Sequence, residues 1–370
     1  MAHVVIHVAC SPGEWRVAVL DADGLLLDYA IDRPGRPDGV GDVLRGRVIA
    51  HVPAMSGAFV ALPDAEGFLP DSAGAAGLGA GDAVQVRITR AAQGSKGPRL
   101  AVDGPATPGA PALLTRGPCA ALRFASHHPG AILVDDPAVG GLWRATLGDR
   151  LHYGPIPDAT LVQIEALAGP GVDLPLGMHA TITPTPALIA IDVDLGAATA
   201  GRSAKAAVQR DANRAAIPAL ARQIRLRNLG GAIVIDLAGM PIRRRAALAP
   251  EFVAALAPDP LAPRFLGFSA LGLAEILRPR IHSPLHERLA GAHAAGLRSL
   301  RQLDQDCAAD PATARHLVAA PDVHRALADD PVAAADIRRR TGRPLVVRAD
   351  PTLPPGQARV ERTLAGERHG

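Results

Sequence analysis

"IRLRNLGGAIVIDLAGM", residues 224–240, decides how this chain is to be read. A basic segment carrying Arg225 and Arg227 runs into Asn228 and the pair Gly230-Gly231, then into a short apolar run that ends on one carboxylate, Asp236. Asparagine and glycine tolerate the left-handed backbone that closes a helix, so a helix ends here. Upstream, Ile217, Leu220, Ala221 and Ile224 recur at helical spacing and form its apolar face. Pro218 predicts a kink or a start within that helix, because proline lacks the backbone donor. The run "AIVID", short and rich in β-branched residues, reads as a buried strand.

A second strand of the same kind lies upstream. "ALIAIDVD" (187–194) ends on Asp192 and Asp194. The interval from Asp192 to Asp236 fits one strand–helix–strand excursion, which would make the two strands neighbours in a parallel pair. In open α/β sheets functional groups gather beyond the carboxyl ends of the strands. Carboxylates at close range repel unless one is protonated or a cation lies among them. Hard oxygen ligands suit Mg²⁺ or Mn²⁺, so Asp192, Asp194 and Asp236 form a candidate metal set. Solvent-facing strand ends with no metal are the alternative. Arginines on the intervening helix, Arg222, Arg225 and Arg227, together with Arg278 and Arg280, are candidate phosphate-binding groups, since a guanidinium binds phosphate as a bidentate fork. A second cluster, Arg243, Arg244 and Arg245, follows Asp236. Solvated helix faces are the plainer reading of any one cluster.

Toward the N-terminus, residues 1–30 read as hairpin strands, and "RPGRPDGVG" (33–41) as a boundary. From Asp42 onward come five short strands with close turns, the pattern of a small closed barrel of the oligonucleotide-binding type. Aromatic residues make up only 3% of the chain, yet Phe59 and Phe68 both fall beside turns of this barrel. Exposed there, they would stack bases, with Lys96 and Arg99 tracking the backbone; buried, they would be core. "GPATPGAP" (104–111) reads as a linker, and after Gly296 an Ala-rich helical region leads to a small α/β tail.

Composition narrows the class. The net charge is only +3, hydrophobic residues are 48% of the chain, and there are three cysteines, far apart. That cysteine usage predicts a reducing compartment with no disulfide framework. No apolar run reaches the roughly 20 residues of a membrane span, and the N-terminus has no basic region before its apolar stretch, so a cytoplasmic, non-membrane protein is expected. His282, His286 and His293 have no cysteine nearby and Pro284 breaks their spacing, so no zinc is expected there. No phosphate-binding glycine fingerprint and no recognisable Ser/His/Asp set occurs.

Several long stretches resemble the ribonuclease E/G family of bacterial endoribonucleases, in the family's order. "LARQIRLRNLGGAIVIDLAGM" is similar to its signature; "GDVLRGRVIAHVPAMSGAFVALPDAEGFLP" and "GSKGPRLAVD" to its RNA-binding barrel; "ALIAIDVDLG" to its first metal-ligand strand; and "FSALGLAEILRPRIHSPL" to the segment after the second. The resemblance implies a multidomain α/β (α+β) chain. A ribonuclease-H-like subdomain (1–37 and 112–175) would be interrupted by the oligonucleotide-binding barrel (38–103) and the linker (104–111). A DNase I-like catalytic subdomain (176–290) and a small C-terminal α/β domain (297–362) would follow. It further implies that Asp192 and Asp236 hold one Mg²⁺, and that single-stranded RNA is cut by metal-activated water to leave a 5′-phosphate and a 3′-hydroxyl.

The sequence departs from the family at three places. Asp194 stands where the family usually has asparagine. The paired cysteines that link protomers through zinc are replaced by "LAGAHAAGLRSL", so a homodimer is expected in place of a zinc-linked tetramer. The 104–111 linker occupies the place of a 5′-end-sensing subdomain, so cleavage is expected to ignore the 5′ end. A non-catalytic RNA-binding relative is the competing class.

Overall fold

The computed structural model describes residues 4–195 and 205–363, without the side chains of 205–208. The chain divides into two compact units. One comprises residues 1–37, 120–168 and 285–370, the other 38–119 and 169–284. Among the described residues no helix is long and apolar enough to cross a membrane.

The first unit contains a five-stranded sheet. Val5–Ser11, Glu14–Leu20 and Leu26–Asp32 form an antiparallel meander, and Ile132–Val134 and then Leu151–Tyr153 add in parallel on the Val5–Ser11 side. Glu14 is buried in it with two cations, Arg33 at 2.8 Å and Arg301 at 2.6 Å. Those guanidiniums hold its carboxyl below the usual glutamate value against the opposing effect of burial, which is the largest influence on it. A second, three-stranded sheet of Arg315–Ala319, Val347–Ala349 and Ala358–Arg362 packs with the helices Gly291–Ala309, Pro321–Ala328 and Pro331–Thr341. Leu297, Leu300, Leu317, Val323 and Ile337 form their shared core.

The second unit carries the barrel and the Asp192/Asp236 sheet. The strands Val43–Val52, Gly57–Ala61, Glu66–Pro70, Ala83–Arg90 and Arg99–Val102 close into a five-stranded barrel, consistent with an oligonucleotide-binding fold. Inward residues such as Val48, Val60, Leu69, Val86 and Leu100 fill it. Gly97 is needed where the Gln93–Lys96 turn crosses the next strand, because a Cβ there would lie 1.8 Å from the Glu66 carbonyl oxygen. Ala112–Thr115 adds a sixth strand against Val43–Arg45. The linker at 104–111 therefore returns the chain to the barrel, whereas the sequence reading began a new subdomain at 112.

The remaining residues of this unit build a six-stranded sheet. In spatial order its strands are Gly171–Asp173, His179–Pro184, Ile189–Asp194, Gly231–Asp236, Ala274–Arg278 and Arg264–Phe268. Ile189–Asp194 and Gly231–Asp236 are its parallel pair, joined by the crossover helix Lys205–Leu226. Ile217, Leu220, Ala221 and Ile224 are buried against the sheet, as their spacing predicts. Ile217, Leu220 and Ile224, fully enclosed, each contribute roughly 1.5–3 kcal/mol. The helix does not start at Pro218 but runs through it. It ends as the sequence predicts, with Asn228 at φ 46°. Gly230 is required by packing, since a Cβ there would come within 2.9 Å of the Arg280 Cβ.

Candidate active site

Asp192 and Asp236 are directly paired residues at the carboxyl ends of the two parallel strands. Alternation along a strand turns Ile191, Val193 and Ile235 into the core and leaves Asp192, Asp194 and Asp236 exposed. Neighbouring strands lie about 4.8 Å apart, so the two carboxylates project side by side from one surface. Asp194 shares their face two residues further on, where its strand partner is His179. Among the described residues no three His, Cys, Asp or Glu side chains group in a way that could hold a metal ion.

Two side chains that the sequence reading did not select fix the tip of the Asp236 strand. Arg245, buried at the end of the short helix Ile242–Arg245, donates from Nη1 to Asp236 Oδ1 at 2.8 Å. Its other hydrogens go to the carbonyls of Met240, Leu237 and Gly272 at 2.8–3.0 Å. Asn213, fully buried on the crossover helix, holds Ala238 from both sides. Its Nδ2 donates to the Ala238 carbonyl at 2.9 Å and its Oδ1 accepts from the Ala238 N–H at 3.1 Å. The sequence signal for Asn213 was a polar residue on the sheet-facing side of an amphipathic helix. Asn213→Ala strands two buried backbone groups, and leaving them unpaired destabilises the unit by about 2–3 kcal/mol. Urea denaturation with an unchanged midpoint would contradict this role.

The arginines chosen from sequence separate into two kinds. Arg227 is buried and donates to the carbonyls of Gly169 and Gly171 and to Gln223. Arg278, 3% exposed, forms a salt bridge with Asp259 at 2.7 Å and donates to Asn228 and Leu229. For these two, the expected RNA contact is corrected to a structural role, because their donors are spent inside the fold. Arg222 and Arg225 are half-buried near the end of the crossover helix, Arg225 donating to the Pro258 carbonyl. Position corrects a further expectation. Arg222, Arg225 and Arg227 precede the Asp236 strand at its start, and Arg278 pairs with Gly231 there. At about 3.3 Å per residue that end lies roughly 17 Å from Asp236. They do not flank the carboxylates.

On the barrel the expected residues do come together. Phe59 pairs with Phe68, Phe68 with Arg99, and Arg99 with Arg90, a single row across four strands. Partners in register share a face, and here it is the outer one. Phe59 and Phe68 are half-exposed, with ring centroids 5.5 Å apart in an edge-to-face arrangement. They are not core. Lys96 is exposed on the adjacent turn. Arg90, absent from the sequence-based set, lies next to Arg280 through the hydrogen bond from the Ala91 N–H to the Ile281 carbonyl. Burial first, and then the neighbouring Arg99 and Arg280 guanidiniums, hold Arg90 below the ordinary arginine value. The row therefore offers a stacking platform leading into a basic corner, which suits single-stranded nucleic acid. Phe59→Ala or Phe68→Ala should weaken binding of a single-stranded RNA by about 1–3 kcal/mol with little change in salt dependence. Fluorescence anisotropy at several salt concentrations measures both, and unaltered affinity would remove the platform.

His282 bonds Asp38 at 2.7 Å, and His293 bonds Asp330 at 2.8 Å. His286 lies 3.9 Å from Glu287.

Fold and site together define a mixed α/β chain: a closed barrel with an aromatic–arginine row, and a sheet with paired aspartates at its parallel strand ends. Residues 158–281, which carry that aspartate pair, match the Ribonuclease E/G family. Ribonuclease E of a Nostoc species is 39% identical over 119 residues, 32% of this chain and 17% of that protein. Ribonuclease E of Escherichia coli K12 is 35% identical over 173 residues, 43% of this chain and 16% of that protein. Ribonuclease G of the same strain is 37% identical over 121 residues, 32% of this chain and 24% of that protein. The matched stretch thus spans less than a quarter of each of these relatives.

Proposed function

We propose that the chain is a divalent-metal-dependent endoribonuclease acting on single-stranded RNA in RNA processing or decay. The observation that carries this reading is the direct pairing of Asp192 with Asp236 at exposed parallel strand ends, inside the family-matched segment. The donor set fits Mg²⁺ or Mn²⁺: two adjacent hard carboxylates open to water suit an ion that keeps most of its water shell. When bound, such an ion neutralises charge on a phosphoryl oxygen and lowers the pKa of water, chemistry that leaves a 5′-phosphate and a 3′-hydroxyl on the cut RNA. Asp192 and Asp236 would each supply an oxygen to it. Asp194, beyond the pair on the same face, adds negative charge to the surroundings.

The chain's other residues bind and orient. Phe59 and Phe68 stack bases, and Arg99, Arg90 and Lys96 neutralise the phosphates between them. Arg280 extends this basic surface to the end of the sheet remote from Asp236, so a bound RNA has to cross the sheet from one end to the other to reach both sites. The test is cleavage of an unstructured RNA with Mg²⁺ present and then with EDTA in excess. Cutting that stops with EDTA and returns with Mg²⁺ is expected. Metal-independent cutting would refute the chemistry, and RNA binding without cutting would leave a binding protein.

A further inference from the structure

We infer that Arg245 is a positioning residue that acts as the resident cation of the carboxylate pair, holding one oxygen of Asp236 and leaving the other for a divalent ion. This rests on the function proposed above. Asp236 is 53% exposed, and its Oδ1 receives Arg245 Nη1 at 2.8 Å. Among the described residues its other oxygen has no partner, and Asp192 and Asp194 have none either. The guanidinium is not free to swing away. Its remaining donors go to the carbonyls of Leu237, Met240 and Gly272, on both loops bordering the strand end. Gly272, at φ 83°, closes over it, and a Cβ there would lie 2.9 Å from Ile242 and 3.3 Å from the Arg245 Cδ.

Three consequences follow from one fixed positive charge beside these acids. Before any metal arrives, it offsets the repulsion between Asp192 and Asp236, so both carboxylates keep their places. It favours one-oxygen coordination by Asp236, since the other oxygen already accepts from the guanidinium. It also repels an incoming divalent cation, and so weakens binding relative to a site with the same acids and no arginine. The extra negative charge of Asp194 works in the opposite direction.

The test uses the full-length protein and Mn²⁺ as the probe, with affinity read by calorimetry. Arg245→Gln keeps a hydrogen-bond donor for Asp236 and loses the charge, while Arg245→Lys keeps the charge and loses the fork. Arg245→Gln is expected to bind Mn²⁺ about tenfold more tightly, the order set by removing one unit charge a few ångströms away through partly screened surroundings. Arg245→Lys is expected to stay within about twofold of the wild type, because the charge is kept. Equal affinities in all three proteins would overturn the inference, as would weaker binding in Arg245→Gln.

Should either variant fail to fold, the wild type answers alone. In ¹⁵N-arginine-labelled protein, one protected guanidinium signal, moved in Asp236→Asn where its acceptor loses its charge, should shift when Mg²⁺ is added. A signal indifferent to Mg²⁺ overturns the inference. A wild type that binds neither Mn²⁺ nor Mg²⁺ would instead remove the proposed function itself.

Discussion

Asp192→Asn and Asp236→Asn are each expected to slow cleavage of single-stranded RNA by about a thousandfold. That factor corresponds to about 4 kcal/mol, within the several kcal/mol a divalent ion contributes to transition-state charge stabilisation, at 1.36 kcal/mol per tenfold. Each substitution removes one of the two charged oxygens offered to the same cation, while the amide oxygen introduced by Asp236→Asn would still accept from Arg245 and keep the strand end in place. RNA affinity should hardly change, because the Phe59–Phe68–Arg99–Arg90 row belongs to other strands. Asp194→Asn is the comparison. Asp194 lies past the last residue paired with the Asp236 strand, so its loss should alter the rate by less than about tenfold, or 1.4 kcal/mol. Single-turnover rates in Mg²⁺ with anisotropy on the same RNA measure both quantities. A wild-type rate in Asp192→Asn or Asp236→Asn would show that the pair is not the reactive centre.

Arg278→Ala should cost about 3–5 kcal/mol of stability, because it leaves Asp259 buried without its counter-charge. Arg278 and Asp259 are 3% and 5% exposed, joined at 2.7 Å. The same guanidinium also holds Asn228, the left-handed residue closing the crossover helix, through its side-chain oxygen at 2.8 Å and the Leu229 carbonyl at 3.0 Å. One substitution thus removes the ion pair and the brace between the helix end and two strands. Lys96→Ala, on an exposed turn, should stay within about 0.5 kcal/mol. Urea denaturation distinguishes them. A mild effect from Arg278→Ala, combined with a large loss of RNA affinity, would restore the nucleic-acid contact expected from sequence.

What local pattern controls was legible in the sequence. Alternation placed Asp192 and Asp236 on exposed strand ends, helical spacing identified the buried face at Ile217, Leu220, Ala221 and Ile224, and Asn228 marked the helix end. The succession of short strands indicated the barrel. Whether Phe59 and Phe68 faced inward or outward stayed open, because a phenylalanine beside a turn satisfies either face; register across the closed barrel placed them outside, in line with Arg99 and Arg90. The arginines were misread for a geometric reason. A parallel crossover carries the chain back to the start of the next strand, so Arg225 and Arg227, close to Asp236 in sequence, lie a strand's length from it. Arg245 and Asn213, which do touch the Asp236 strand end and the loop after it, arrive from a later helix and from the far end of the crossover helix. Sequence pattern specifies which face of its own element a side chain occupies. Which buried carbonyl or carboxylate satisfies a guanidinium depends on elements distant in the chain, and only the packed tertiary structure brings those together.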